Sequence, residues 1–363
     1  MPTNVHQRRN LTSSLAAYSK NRILDNWRST LTFSKSTDSS DQTLNYRWDG
    51  HIRSDQRQLA WQNEIDLAPA HKLLLGVESL SQRAESEAIA TATSNKIYPA
   101  RQVGSILAGY SGSLERAEFQ VNLRGDRYSD FGRANTYFAA GGYNLTNEWK
   151  VIVQQSTAFS APTFNQLYFP GFGTPTLLPE RAKSSEFGLQ WAAGSHLLRL
   201  TRFRTVYEKL IQTVAGFATN VGNARVDGVE SNYTGQLAGF DLRANVTWQD
   251  PVSIPDNTVT GAQLRRRART FGNIGVYRSI GQWRIGADLY STSNRLDTNI
   301  TSTTTRVDLA SYNLLTLTAR YNFTKEAYIA AKIDNAGNAN YQTAHGFNSP
   351  PRGFFLTFGY QPK

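Results

Sequence analysis

Ten consecutive residues alternate without a break. Phe240, Leu242, Ala244, Val246 and Trp248 are apolar, and Asp241, Arg243, Asn245, Thr247 and Gln249 between them are polar or charged. Successive side chains of a strand point to opposite faces, so this segment carries one greasy face and one wet face. The stretches Trp283 to Tyr290 and Leu315 to Phe323 read the same way. A face bearing Arg, Asp and Asn along a whole strand is not a packed core unless every charge is paired. It suits a wall between lipid and water.

The composition fits such a wall. Aromatic residues make up 12% of the 363, Met occurs once, and no apolar run approaches the roughly 20 residues of a membrane helix. A membrane barrel needs only about half of each strand to be apolar, so the low mean hydropathy is compatible with it. The absence of Cys excludes a disulfide framework and a thiolate zinc site. His6, His51, His71, His196 and His345 show no metal-ligand spacing, and neither a metal nor a cofactor is expected. The net charge of +11 includes the basic run Arg265, Arg266, Arg267, Arg269. No nucleic-acid-binding motif accompanies it, and the other cations are scattered, so the expected polyanion is outer-membrane lipid and lipopolysaccharide and not nucleic acid. The first residues lack the apolar stretch of a secretory signal.

Seventeen strand-like runs are expected, at about 11–20, 27–36, 52–67, 72–85, 103–114, 117–128, 134–144, 149–159, 184–192, 196–213, 224–236, 239–250, 266–278, 282–296, 311–323, 326–335 and 353–361. Short connectors alternate with longer ones at 37–51, 86–102, 129–133, 160–183, 214–223, 251–265, 297–310 and 336–352. That alternation is the mark of an outer-membrane barrel with short periplasmic turns and long extracellular loops. The expected fold is therefore an all-β antiparallel transmembrane barrel forming a single domain over residues 1–363. Counting rims back from the last strand, the first run here descends toward the short-turn rim. About five more strands are then expected ahead of it, giving the 22 of a plugged transporter.

Two loop sequences carry a resemblance. Ala161-Pro162-Thr163 with Leu167-Tyr168, followed by Leu178-Pro179-Glu180 and Ser184 to Gly188, resembles a signature of TonB-dependent outer-membrane receptors. Asn220 to Glu230, ending in Gly228-Val229-Glu230, resembles a later strand opening of the same family. Within it, Arg266-Arg267-Ala268 and Asp334-Asn335 with Tyr341 to Phe347 are most similar to the vitamin B12 (cobalamin) transporters. The resemblance implies a receptor that binds cobalamin in its extracellular loops and moves it inward with energy from TonB, which requires a plug domain. No plug has a counterpart in this chain. It also implies ligand contacts at Arg266 and Phe347, where Phe keeps the ring of the family's Tyr and loses its hydroxyl. Such transporters hold calcium through acidic loops, and Ser36 to Asp41 offers only two carboxylates.

A corrin is a large amphipathic disk suited to aromatic faces, which Tyr168, Phe169 and Phe172 offer. Those three rings equally suit packing the loop on itself or an interfacial girdle, and Arg266 equally suits an ion pair in the wall. Arg124, Asp126, Asp241, Arg243, Arg284, Asp288 and Arg320 read as charge-paired lining of a water-filled lumen. No placed nucleophile, base or phosphate loop accompanies them, so an enzyme is not expected. The alternatives to a cobalamin receptor are a siderophore-type receptor, a passive pore and a non-functional fragment.

Overall fold

The computed structural model describes residues 5–88, 95–169, 171–254, 262–299 and 302–361. In chain order the elements are β1 (His6–Leu24), β2 (Trp27–Leu44), β3 (Arg47–Ala68), β4 (His71–Ala88), β5 (Asn95–Ile97), β6 (Ala100–Leu114), β7 (Ala117–Tyr128), β8 (Gly132–Asn144), β9 (Trp149–Ser160) and α1 (Phe164–Tyr168). There follow β10 (Glu180–Ala193), β11 (His196–Glu208), β12 (Ile211–Val214), β13 (Phe217–Asn220), β14 (Asn223–Leu237), β15 (Phe240–Ile254) and β16 (Thr270–Ile280). The last are β17 (Trp283–Thr292), β18 (Arg295–Asn299), β19 (Ser302–Leu309), β20 (Tyr312–Asn322), β21 (Ala327–Asp334) and β22 (Gly353–Tyr360). One antiparallel sheet of 18 strands takes all but two small hairpins, β12–β13 and β18–β19. Apart from the short β5, its strands answer one for one to the 17 expected runs.

The chain forms two compact units, the first comprising residues 1–141, 154–183 and 207–222 and the second the remainder. In the first unit β1, β2, β3, β4, β6 and β7 pair in order as a meander. Leu31 and Phe33 on β2 stand opposite Trp61 and Leu59 on β3, and Trp61 stands opposite Val77 on β4. All five side chains are exposed. The other face of the same strands carries Thr30, Thr32, Ser34, Gln58, Gln62 and Glu78. Exposed apolar groups on one face and hydroxyls, amides and carboxylates on the other make a sheet that is greasy outside and wet inside.

The second unit repeats this in β14, β15, β16, β17, β20, β21 and β22. Val246, Ile274, Leu289 and Leu315 lie on one face, with Asn245, Asn273 and Tyr290 on the other. Leu237 and Phe240 close the β14–β15 hairpin across a two-residue turn. Both turn residues, Ala238 and Gly239, have positive φ (52° and 79°), the geometry that matches the twist of the flanking strands. Glycine adopts it freely, whereas the Cβ of Ala238 opposes it.

The strands overrun several expected loops. Residues 37–51 are not a connector: β2 and β3 continue as a ladder to a turn at Asn45 and Tyr46. A spanning strand needs only about 10 residues, and β3 has 22. Beyond Leu59 its outward positions are Arg57, Asp55, Arg53 and His51, so the apolar band ends there. Residues 214–223 and 297–310 likewise contain strand, in β12–β13 and β18–β19. The expected run 266–278 starts later, at Thr270, because Arg265 and Arg266 form a turn. In the expected connector 251–265, β15 runs on to Ile254, and 255–261 lie outside the described residues.

Candidate functional site

In the first unit the connector 160–183 begins with α1. Thr163 caps it: its hydroxyl accepts from the Gln166 amide at 3.2 Å, and the Gln166 side-chain oxygen accepts from the Thr163 amide at 2.9 Å. This reciprocal pair satisfies two otherwise orphaned donors. The Thr-x-x-Gln spacing is its sequence signal, which the strand reading passed over. Leu167 from the helix, Leu177 and Ala218 from β13 form a buried apolar cluster, against which Tyr168, Phe172 and Ile211 pack. The Ala218 amide donates to the Phe172 carbonyl at 2.9 Å. Asn220 donates to the Leu178 and Lys209 carbonyls at 2.9 and 2.7 Å and accepts from the Leu178 amide at 2.8 Å. The loop thus has a small core of its own. Phe169 stands apart from it, lining a cleft of about 210 Å³ with Asp49, His51, Ile52 and Glu87.

Arg101, at the start of β6, anchors this loop. It is 5% exposed, and it donates to Asp130 at 2.6 Å and to the Pro162 carbonyl at 2.9 Å. Its guanidinium lies 5.0–5.9 Å from the ring centres of Phe164, Phe131 and Tyr128. A buried guanidinium with a carboxylate partner and three aromatic faces is well compensated. Sequence reasoning missed Arg101 and Asp130, since a single Arg and a single Asp at two loop edges form no pattern.

In the second unit the corresponding hub is Asp297, on β18. Its side chain is 1% exposed. Both carboxylate oxygens accept from Arg266 Nε at 3.0 Å, and Oδ2 also accepts from the His345 amide at 2.8 Å. Burial pushes this carboxyl up, but the amides of His345 and Thr298 and the Arg266 guanidinium outweigh burial and hold it below the usual carboxylate range. Arg266 sits at positive φ (59°), its own amide donating to the Leu296 carbonyl at 2.7 Å. Arg295 donates to the Gln342 carbonyl at 3.0 Å and covers the Tyr312 ring, which packs on Tyr341. The Gln342 side-chain oxygen accepts from the Gly346 amide at 3.3 Å. The basic turn and the segment 341–347 therefore meet through Asp297. Phe347, 58% exposed, projects from that assembly.

The charged strand residues lie on the wet face in networks. Arg124 reaches Glu78 at 2.7 Å, Asp126 and Ser105 at 2.9 Å. Asp241 pairs with Arg284 across the sheet at 2.9 Å, not with Arg243 on its own strand. Tyr277 donates its hydroxyl to Asp288 and lies between Arg243 and Arg284, 5.6 and 5.5 Å from its ring centre. That ring crosses Gly286, where a Cβ would come within 2.3 Å of it, so only glycine allows the approach. Arg320 lies 3.6 Å from the centre of the Tyr328 ring and donates to Asn322 at 2.8 Å.

Residues 3–336 match the family model described as TonB dependent receptor-like, beta-barrel. The chain belongs to the TonB-dependent receptor β-barrel family. Among curated relatives of this receptor chain, the vitamin B12 transporter BtuB of Vibrio vulnificus is 27% identical over 357 residues, 93% of this chain and 55% of the relative. The protein of the same name from Vibrio cholerae is 29% identical over 248 residues, 67% of this chain and 39% of its own length. The chain thus spans about half the length of the curated relatives it matches. Similar solved structures include the copper transporter OprC and the ferric-catecholate import receptor Fiu from E. coli K12, both with a TM-score of 0.79 and 14% identity. They cover 96% and 97% of this chain, which covers 65% and 64% of theirs. These structures support the fold of the receptor barrel.

Proposed function

We propose that this chain is barrel wall and ligand-binding loops of an outer-membrane receptor for cobalamin or a closely related corrinoid. In this reading it is one transmembrane barrel domain in a Gram-negative outer membrane, energised through TonB when a plug domain is present. The observation that carries it is the likeness to vitamin B12 transporters across 93% of the chain. Arg266 and the segment ending at Phe347, the places where the resemblance implies ligand contact, are tied into one assembly by Asp297. Phe347 offers an exposed aromatic face there, and Arg266, 56% exposed, offers donors. Tyr168 and Phe172 chiefly hold their loop in shape, leaving part of each ring for the ligand. Arg124, Asp126, Asp241, Arg243, Arg284, Asp288 and Arg320 line the aqueous interior.

Titrating the chain, refolded in detergent micelles, with cyanocobalamin and with a ferric siderophore tests this. Saturable binding of cyanocobalamin alone is expected, weakened about tenfold by Phe347→Ala through loss of an aromatic contact. Saturable binding of the siderophore alone would replace the corrinoid assignment and leave the fold untouched.

A further inference from the structure

On the outward face of β11 and β14, three arginines converge on a single carboxylate. Arg202 Nη2 is 3.2 Å from Asp227, Arg204 Nε 2.6 Å and Arg225 Nε 2.7 Å. Asp227 is 14% exposed, whereas the three guanidiniums are 41–58% exposed. Beside them Asp227 faces Asp250 across the β14–β15 ladder, and Asp250 pairs with Arg269 at 3.3 Å. Four cations against two carboxylates leave an excess of two positive charges on a patch of wall. Like charges held this close repel, and a multivalent anion outside the wall would relieve that repulsion. By contrast, Lys35, Arg53, Arg57 and Arg83 on the wet stretch of β2, β3 and β4 are matched by Asp41, Asp55, Glu85 and Glu87, so no excess arises there.

Height on the wall decides what the anion is. Asp227 shares its face of β14 with Val229, Tyr233 and Leu237, opposite Trp248, Ala244 and Phe240 on β15. Near the short-turn end, Trp191, His196 and Tyr233 stack, and the Tyr233 hydroxyl lies 2.7 Å from His196 Nδ1. From Leu237 to Asp227 the strand rises roughly 25 Å, at ~3.3 Å per residue and ~40° of tilt. That is the height of the apolar band of an outer-membrane wall. On β14 and β15, Val229 and Trp248 are the last exposed large apolar groups of the band, Val252 and Ile254 above them being half-buried, and the arginines begin immediately above Val229. They stand where the headgroups of the leaflet opposite the short turns must lie.

We infer that Arg202, Arg204 and Arg225 form a binding site for the phosphorylated headgroup of an outer-leaflet glycolipid, whose acyl chains lie along Val229 and Trp248. Guanidinium forks match phosphate oxygens in pairs, and Asp227 spaces the forks without neutralising them. The inference rests on the membrane-wall reading and its orientation, with the short turns periplasmic.

Binding to the full chain, refolded in non-ionic micelles, is compared for diphosphoryl lipid A, the same lipid without phosphates, and inorganic phosphate. Folding is followed by heat-modifiable migration. The phosphorylated lipid is expected to bind about tenfold more tightly than its dephosphorylated counterpart. Arg202→Gln with Arg204→Gln should abolish that preference, and the Lys pair at the same positions should keep it within about threefold. A folded chain that does not distinguish the two lipids, or a Gln pair that still does, overturns the site alone. Displacement of the lipid by millimolar inorganic phosphate makes it a free-anion site and overturns the lipid assignment. A chain that enters no micelle as β-structure overturns both the site and the wall reading beneath it.

Discussion

At the scale of single residues, Asp297 shows how one buried carboxylate organises a loop assembly. Its partners lie 31 and 48 residues away in the chain, and it balances the cost of burial with two backbone amides and one guanidinium. Its native pKa is therefore depressed. A group of this kind contributes its full stability above its unfolded value and loses it as pH falls through the native value. Replacing it with Asn removes the charge and keeps one acceptor. Asp297→Asn should cost roughly 1–3 kcal/mol at neutral pH, read as a lower midpoint of thermal unfolding. The gap between the two proteins should close as the solution is acidified below the ordinary carboxylate range. A gap that stays constant down to pH 3 would mean that the charge of Asp297 plays no part.

At the scale of elements, the wall strands and the loops obey different rules. A strand in lipid has one wet and one greasy face, so hydropathy alternates with period two and the 17 wall strands were legible. Above the band both faces are wet and the alternation vanishes, which is why residues 37–51, where Asp41 of β2 stands opposite His51 of β3, read as a loop. The β12–β13 hairpin was hidden for a different reason: four residues per strand are too few to show a period. Of the candidate site, the positions of Arg266 and Phe347 were legible through family resemblance. Asp297 and Arg101, which hold the loops, were not, because long-range pairing leaves no local trace. Loop and wall should also come apart in stability. Leu167, 4% exposed, fills the core shared by α1 and β13, and Leu167→Ala should remove about 2–3 kcal/mol of local packing. Limited proteolysis should then cut within 160–183 several times faster while the heat-modifiable band of the sheet is unchanged. Equal loss of both would make the loop core part of the wall's own stability.

At the scale of the whole molecule, the decisive property is that the two faces of one sheet meet different solvents. The 51% exposed Ile274 and its chain neighbour Asn273 sit near the middle of β16, on opposite faces. In water, placing a charge at either position is nearly neutral, since neither side chain is buried in a core. In a bilayer the two diverge. Ile274→Arg puts a guanidinium at mid-height among Val246 and Leu289, where an outward charge costs about 2–4 kcal/mol. Asn273→Arg faces Asn245 and Tyr290 on the wet side, where water solvates the new charge and the cost should stay below about 0.5 kcal/mol. Refolding both variants into short-chain lipid vesicles and titrating with guanidinium chloride reads the difference directly. A lower midpoint for Ile274→Arg alone, at least 2 kcal/mol beyond Asn273→Arg, is expected if the alternation from Phe240 to Gln249 marks a lipid boundary. Equal midpoints would mean that both faces meet water, and the receptor-barrel reading of this sheet would then fail at its base, whatever its loops bind.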